Sequence, residues 1–517
     1  MTDSFPNGTE FDYVVVGAGS AGCALAARLS ENEAARVLLL EAGGADHPPG
    51  VAQPPAWPSL LNTPLDWADR TTPQTETGIT VPWPRGRGLG GSSAINAMNF
   101  LRGHRTSYDA WAAEGAPGWG FDDLLPAFKR SENLTGVADR DPALRGMDGP
   151  LRVGPAADPH PLAEDFLRAA VQTGHREARD LAGGLEEGFG RGDLSISGGI
   201  RQDAATAYLR PVLHRPGLHV VTGALVHRVT LDGDRCTGVE YAAGTELRTA
   251  RRSRSGAVVL TAGAVGTPQL LMLSGIGPRT HLRTLAIPTA VHLPGVGSHL
   301  QDHVLSGVVH RSARPVPPGT GNHGEVQGLI RSGPGVPGPD VQLQMVDVPL
   351  REDSLPGPGP GRGWTITVAL MTPFSHGTIR LAGTAPGAPP RIDPRYYADI
   401  RDLDAMVQGL RAAREIAAAP ALADWSDGEV LPGPDALGEK SLRACLCRNL
   451  RSYNHYAGTC RMGTDAHAVV DPALRVRGVD GLRVADASVM PRLVSANTNA
   501  TVYAIAERAA ELLRDTV

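Results

Sequence analysis

Lysine and aromatic side chains are scarce in this chain of 517 residues. Lysine occurs only at Lys129 and Lys440, so nearly all of the 49 basic residues are arginine. Against 54 acidic residues the formal net charge is -5, and this mildly acidic balance argues against nucleic acid or a membrane surface as a partner. Aromatic residues make up only 5%, which gives no support for an aromatic cage around a quaternary ammonium ligand.

Cysteine is sparse as well, and an odd number of cysteines in a long chain indicates reduced thiols rather than a disulfide framework. We therefore expect a cytoplasmic protein. The C-x-C spacing of Cys445 and Cys447 differs from the C-x2-C pairs of zinc sites, so no metal is predicted. No apolar run approaches the ~18 residues that span a bilayer. The acidic first ten residues predict no signal peptide.

The chain opens with a βαβ pattern. Residues 11–16 are an apolar, β-branched run that predicts a buried strand, and residues 23–30 show helical spacing. Between them lies the G-x-G-x-x-G sequence of residues 17–22, and a second buried strand at 36–41 ends in Glu41. This order is typical of a dinucleotide-binding unit, in which the turn approaches a pyrophosphate and the acid binds a ribose. It does not separate NAD from FAD.

Farther along, strands are predicted at 219–222, 225–231 and 257–261, and an amphipathic helix at 501–516. Between about residues 304 and 450, Pro/Gly clusters separate strand-like pieces, which include 340–345 and 364–370. Short strands separated by such turns predict an antiparallel sheet in a second domain.

Two other segments are rich in small residues. Residues 86–96 read Gly-Arg-Gly-Leu-Gly-Gly-Ser-Ser-Ala-Ile-Asn, a sequence that suits either a surface loop or a surface lying flat against a large planar ligand. In residues 263–277, Thr267 and Pro268 predict the cap and first residue of a helix that ends before Ser-Gly-Ile-Gly.

These segments resemble both signature patterns of the glucose–methanol–choline (GMC) oxidoreductases, flavoproteins that oxidise alcohols, and the similarity extends to residues 297–303 and 482–488. The resemblance implies an α/β fold, α+β overall. Its Rossmann-like FAD-binding domain would comprise the discontinuous segments 10–154, 203–303 and 452–517. A substrate domain, with an antiparallel sheet flanked by helices, would comprise 155–202 and 304–451.

The resemblance also implies FAD as the cofactor. Some members of the family attach FAD through a histidine in the first signature, where this chain has Ile95, so non-covalent FAD is expected. The cofactor-binding residues carried over from the family are Gly17, Gly19, Ser20, Ala21, Gly22, Glu41, Ala42, Arg87, Gly91, Ser92, Asn96, Ala97, Met98, Asn99, Val226, Asp486, Ala487, Asn497 and Thr498.

Catalytic residues are expected near the C-terminus, where residues 454–463 resemble the segment of the family's catalytic histidine. His455 would be the base that takes the hydroxyl proton of an alcohol while hydride passes to flavin N5. Asn499 would bind the substrate oxygen without titrating. The other histidines, His303 among them, are interpreted as structural or exposed.

The expected activity is oxidation of a small primary or secondary alcohol to the carbonyl compound, with the flavin reoxidised by O2 or by another acceptor. Oxidase and dehydrogenase both remain open. The alternative is a lyase of the same fold that cleaves cyanohydrins and uses flavin structurally.

Overall fold

The computed structural model describes residues 5–514, which form two large sheets with helices packed on them. The α-helices of this part of the chain are α1 (Ser20–Leu29), α2 (Arg105–Ala113), α3 (Phe121–Ser131), α4 (Pro161–Gln172), α5 (Gly263–Leu273), α6 (Arg279–Thr284), α7 (Ile400–Ala417), α8 (Glu439–Arg448) and α9 (Asn499–Arg514).

The strands of the two large sheets are β1 (Glu10–Val16), β2 (Val37–Leu40), β3 (Gly188–Arg191), β4 (Leu218–Val221), β5 (Ala224–Asp232), β6 (Arg235–Ala243), β7 (Glu246–Leu260), β8 (Val304–Ser312), β9 (Val326–Ile330), β10 (Val341–Val346), β11 (Gly363–Leu370), β12 (Ser426–Leu431), β13 (Arg451–Ser452) and β14 (Leu482–Val484). Short two-stranded pairs join Asp69–Arg70 to Pro82–Trp83, Glu132–Asn133 to Leu151–Arg152, Gly154–Pro155 to Asp193–Leu194, Ile196–Ser197 to Ile200–Arg201, Ile276–Gly277 to Val291–His292, and Thr378–Arg380 to Arg391–Asp393.

The first sheet has the strand order β4-β2-β1-β7-β6-β5, and β14 also pairs with β7. Strand β1 lies parallel to β2 and to β7, while β6 is antiparallel to both β5 and β7. Val14 and Val15 of β1 are fully buried, as the continuous apolar run predicts for a strand covered on both faces. The predicted βαβ opening is confirmed.

The second sheet has the order β12-β8-β11-β10-β9-β3, with β13 paired to β8, and all its pairings are antiparallel. Helix α7 covers one face so closely that a Cβ on its Gly409 would lie 2.4 Å from Val368 of β11. The antiparallel sheet predicted from the turn-punctuated strands is confirmed.

The mixed α/β class is confirmed too. The first sheet draws strands from 10–40, 218–260 and 482–484, and the second takes β3 together with strands between 304 and 452. The domain boundaries proposed from the sequence stay a prediction. No helix within residues 5–514 has the length and apolarity that a membrane crossing needs.

Two helices begin at residues other than those predicted from the sequence. Helix α5 begins at Gly263, not at Pro268, because its cap comes from a distant residue: Asp486 Oδ2 accepts hydrogen bonds from Gly263 N (2.9 Å) and from Thr267 Oγ (2.6 Å). The C-terminal helix is confirmed as α9 but begins at Asn499, and residues 515 and 516 of that prediction lie outside the described residues.

Candidate active site

The glycine-rich turn between β1 and α1 is shaped by two close backbone approaches. Gly17 has φ +102°, and a Cβ there would lie 2.8 Å from Thr261 O. A Cβ on Gly22 would lie 1.8 Å from Gly17 O. Gly19, by contrast, has open space beside it and precedes a helix without a side-chain cap. The first N–H groups of α1 are therefore available to an anionic group.

Glu41 follows β2 and is buried. Its carboxylate accepts hydrogen bonds from the backbone N–H groups of Ala18 (2.8 Å), Gly43 (2.8 Å) and Gly88 (3.0 Å). Burial raises the pKa of Glu41, and the three donors oppose that shift. The side chain thus joins the turn after β1 to the segment at 86–96.

The segment at 86–96 packs directly on the glycine-rich turn. Gly91 has φ +51°, and a Cβ there would lie 2.7 Å from Gly19 Cα, so only glycine fits. The predicted Arg87 does not line the adjoining cavity, whereas Arg85 does. Arg85 forms an ion pair with Asp69 and lies 4.4 Å from the ring centre of Trp67. Sequence reasoning chose the arginine of the signature and missed its neighbour.

Most of the predicted cofactor-binding residues and both predicted catalytic residues line one of two cavities. Those on the first cavity are Gly17, Gly19, Ser20, Ala21, Glu41, Ala42, Gly91, Ser92, Val226, Asp486, Ala487, Thr498 and Asn499. Those on the second are Ser92, Asn96, Ala97, Met98, Asn99, Asn497, Thr498 and Asn499, together with His455.

The two cavities share the wall residues Ser92, Asn454, Thr498 and Asn499, so they adjoin each other. Gly22 lies outside both linings, consistent with its packing role. An open helix N-terminus, a buried acid and close-packed glycines fit the ADP half of a dinucleotide in the first cavity. A dinucleotide held in this way would extend into the second cavity beyond its pyrophosphate.

His455 stands on the wall of the second cavity and is half-buried, with one ring edge facing the open space. Its backbone N–H donates to Asp302 Oδ1 (2.8 Å), which in turn holds Ser452 through Oδ2 (2.6 Å). Burial raises the pKa of Asp302 to about 6. Packing around the imidazole, with His303 beside it, lowers the pKa of His455 well below its usual value.

His303 determines which nitrogen of His455 carries the proton. His303 Nε2 lies 3.0 Å from Met371 O, which only accepts, so this nitrogen is the protonated one. Burial lowers the pKa of His303 to about 3, so the ring is neutral and its Nδ1 is an acceptor. That Nδ1 lies 2.8 Å from Nδ1 of His455, which must therefore donate. Nε2 of His455 is therefore the unprotonated nitrogen, with its lone pair available as an acceptor.

An amide lies next to that lone pair. Asn497 Nδ2 is 3.3 Å from His455 Nε2, and Asn497 Oδ1 accepts from Gln342 Nε2 at 3.3 Å. Asn499, the predicted partner of His455, donates instead to Ser20 Oγ at 2.8 Å. The structure thus brings His303 and Asn497 to the imidazole and holds Asn499 against the glycine-rich turn. His303 was missed because sixteen histidines dilute the signal of any one, although it ends the 297–303 motif.

The rest of the second cavity is apolar or neutral. The remaining lining residues are Trp57, Leu61, Pro84, Ile95, Tyr453 and Asn454. Within the described residues, no Asp, Glu, Lys or Arg lines this cavity. A dinucleotide site that adjoins a neutral cavity with an unprotonated imidazole nitrogen is typical of a dinucleotide-dependent oxidoreductase.

Comparison with known proteins gives the family. Models of the GMC oxidoreductase family match residues 11–305 and 373–506, so this chain belongs to the GMC oxidoreductases, which act on CH–OH groups. Human mitochondrial choline dehydrogenase is 39% identical over 98% of this chain and 90% of its own length.

Solved structures agree with that assignment. Pyridoxine 4-oxidase from Mesorbium loti superposes with a TM-score of 0.93 at 35% identity, covering 97% of this chain and 99% of the other. Formate oxidase from Aspergillus oryzae RIB40, studied for its FAD modification, has a TM-score of 0.91 at 26% identity, covering 99% and 100%.

Proposed function

We propose that this protein oxidises a primary or secondary alcohol to the carbonyl compound, with FAD as cofactor and His455 as general base. The observation that carries the proposal is the lone pair on His455 Nε2, which faces a neutral cavity adjoining the dinucleotide cavity. An unprotonated imidazole at that place is suited to accept the hydroxyl proton.

Several features favour FAD held without a covalent bond. The first cavity fits an ADP group, and the second adjoins it along Ser92 and Thr498. Ile95, at the position where some relatives attach the flavin, has no nucleophile. The linings of both cavities contain no cysteine, and His455 is their one histidine within residues 5–514.

In the reaction, the O–H bond of the alcohol breaks and its proton moves to His455 Nε2, while the carbinol C–H bond breaks to give the C=O bond. Bound FAD supplies the hydride acceptor, N5. His303 accepts from Nδ1–H throughout and so keeps Nε2 directed at the substrate. Neutral surroundings keep the resting imidazole uncharged.

We assign the substrate oxygen to the amide of Asn497, because this Nδ2 group is the one next to the proton-accepting nitrogen. Asn499, predicted from the sequence to bind the substrate oxygen, lies on the wall shared by both cavities, where its bond to Ser20 links the catalytic end to the glycine-rich turn. The acceptor that reoxidises the flavin is O2 or another small electron acceptor.

Anaerobic mixing of the purified holoenzyme with a panel of alcohols tests the proposal. Loss of the oxidised-flavin absorbance, with one carbonyl product formed per flavin, is the expected result. Flavin that stays oxidised while a cyanohydrin is cleaved to a carbonyl compound and cyanide would identify a lyase instead. Flavin that remains with the protein after acid precipitation would contradict non-covalent binding.

A further inference from the structure

Asn99 presents a hydrogen-bond donor to the second cavity that no other residue of 5–514 uses. Its side chain is 7% exposed and lines that cavity but not the first. Its Oδ1 accepts from Asn322 Nδ2 (3.0 Å) and from Gln344 Nε2 (3.4 Å). Within residues 5–514, its Nδ2 has no hydrogen-bond partner.

The surrounding hydrogen bonds determine which atom of the Asn99 amide is the oxygen and which is the nitrogen. Asn322 Nδ2 also donates to Ala97 O (2.6 Å), and Gln344 Nε2 also donates to Gly324 O (2.7 Å). Backbone carbonyls only accept, so both neighbours present NH2 groups to Asn99. The Asn99 atom between them must be the oxygen, and the NH2 group must point away from them.

The same network braces the aromatic wall of the cavity. Tyr453 OH donates to Gln344 Oε1 (2.9 Å), and Trp57 Nε1 donates to Asn322 O (3.0 Å). Asn322 and Gln344 thus hold two aromatic side chains and one amide of the cavity wall in place. A donor that faces the cavity favours an occupant with an acceptor atom, because an apolar occupant would desolvate the donor without compensation.

We propose that Asn99 is a specificity-determining residue that donates through Nδ2 to an acceptor atom on the substrate, away from the carbinol carbon. The substrate class is an uncharged alcohol with a flat apolar body that carries such an acceptor, as in a pyridylmethanol. This inference rests on the proposed function. A quaternary ammonium alcohol has no acceptor to offer away from its carbinol carbon, and no carboxylate of residues 5–514 lines the cavity to balance its charge.

The test measures the oxidation of the three pyridylmethanols, benzyl alcohol and choline at pH 8 by the wild-type holoenzyme and two variants. Asn99→Leu removes the donor, and Asn99→Asp replaces the donor with an acceptor. Asn32→Asp is the control, since Asn32 is an exposed amide. In the wild type we expect kcat/KM for the best pyridylmethanol to exceed those for benzyl alcohol and choline by about tenfold. Its preference over benzyl alcohol should vanish in both Asn99 variants and survive in the control.

Binding supplies an independent readout. The dissociation constants of (methoxymethyl)pyridine and benzyl methyl ether, which cannot lose a hydroxyl proton, follow from the change in flavin absorbance. The pyridine ether should bind about tenfold tighter to the wild type and the control only. If binding follows this pattern while no alcohol reduces the flavin, the proposed function fails and the role of Asn99 stands. A wild type that prefers benzyl alcohol, variants with unchanged preference, or folded variants that merely lose FAD would overturn the role of Asn99.

Discussion

His303 and His455 face each other through their Nδ1 atoms at 2.8 Å, with the ring planes nearly perpendicular at 86°. Since Met371 O fixes the proton of His303 on Nε2, the pair can form this hydrogen bond in one direction only. The Nε2 lone pair of His455 therefore stays directed toward the substrate. The acceptor for Nδ1–H is His303 and not a carboxylate, so His303 is a positioning residue for His455.

Two substitutions of His303 test this role. The amide oxygen introduced by His303→Asn would take the place of the Nδ1 acceptor, whereas the side chain introduced by His303→Leu offers none. We expect His303→Asn to reduce flavin within about tenfold of the wild-type rate and His303→Leu to be slower still, because the wrong tautomer becomes accessible. Stopped-flow reduction rates measured against pH separate this from a packing defect. Equal rates in the two variants would show that the acceptor does not matter.

The pH dependence of flavin reduction follows from the lowered pKa of His455. Burial and the neighbouring His303 favour the neutral imidazole. As the pH falls, the free base therefore persists below the ordinary histidine value of about 6.5. The rate of anaerobic reduction at saturating alcohol should stay constant from about pH 8 to about 6.5 and decline only below. An acid limb centred above about pH 7 would contradict this assignment.

Replacement of Asn497 should lower kcat, whereas replacement of Asn499 should weaken FAD binding. Asn497→Ala removes the amide beside His455 Nε2, so we expect kcat to fall by about 10- to 100-fold with FAD affinity unchanged. Asn499→Ala removes the bond to Ser20 at the start of α1, and it should weaken FAD binding more than it slows reduction. FAD titration of the apoproteins and reduction kinetics distinguish them. The reverse pattern would restore Asn499 to the role predicted from sequence.

Much of this arrangement follows from local sequence, and the rest depends on contacts that local patterns do not carry. Strand β1 and the turn at Gly17 were predicted because apolar continuity and glycine spacing are local properties. The start of α5 was not, because Asp486 supplies its cap from the far end of the chain. His303 likewise became recognisable only when folding placed it against a ring 152 residues away.

A segment over the second cavity should respond to pH. It comprises the 3-10 helices Pro49–Ala52 and Pro54–Leu60, and it is held by His323, whose Nε2 lies 3.0 Å from Pro55 O and whose Nδ1 lies 2.8 Å from Asp347 Oδ1. Both partners accept, so the ring is an imidazolium. Burial opposes that charge, but Asp347, aided by the nearby Glu325, raises the pKa of His323.

The pKa of His323 is higher in the folded protein than its unfolded value of about 6.5, so the contact stabilises the fold fully below about pH 6.5. This stabilisation is lost as the pH rises through the folded-state pKa. Hydrogen exchange of residues 49–61, corrected for intrinsic rates, should accelerate across that range in wild type. His323→Gln should show no such step. A wild-type profile without the step would mean that His323 carries no charge there.

A buried ion cluster should contribute strongly to stability. Glu132 is fully buried and contacts Arg102 (2.5 Å) and Arg145 (2.9 Å). Glu132→Gln leaves buried guanidinium charge uncompensated, so we expect a loss of about 3–5 kcal/mol. Glu114→Gln breaks an exposed pair with Arg492 and should cost at most about 1 kcal/mol. Denaturant unfolding of both variants provides the measurement, and equal losses would contradict the prediction.

The central claim, that His455 accepts the proton during alcohol oxidation, is tested most directly by anaerobic stopped-flow reduction of His455→Ala. His467→Ala, which alters an exposed histidine, is the control. The account predicts that His455→Ala retains FAD and is reduced at least ~100-fold more slowly, while the control matches wild type. Undiminished reduction of the FAD-loaded His455→Ala protein would contradict it.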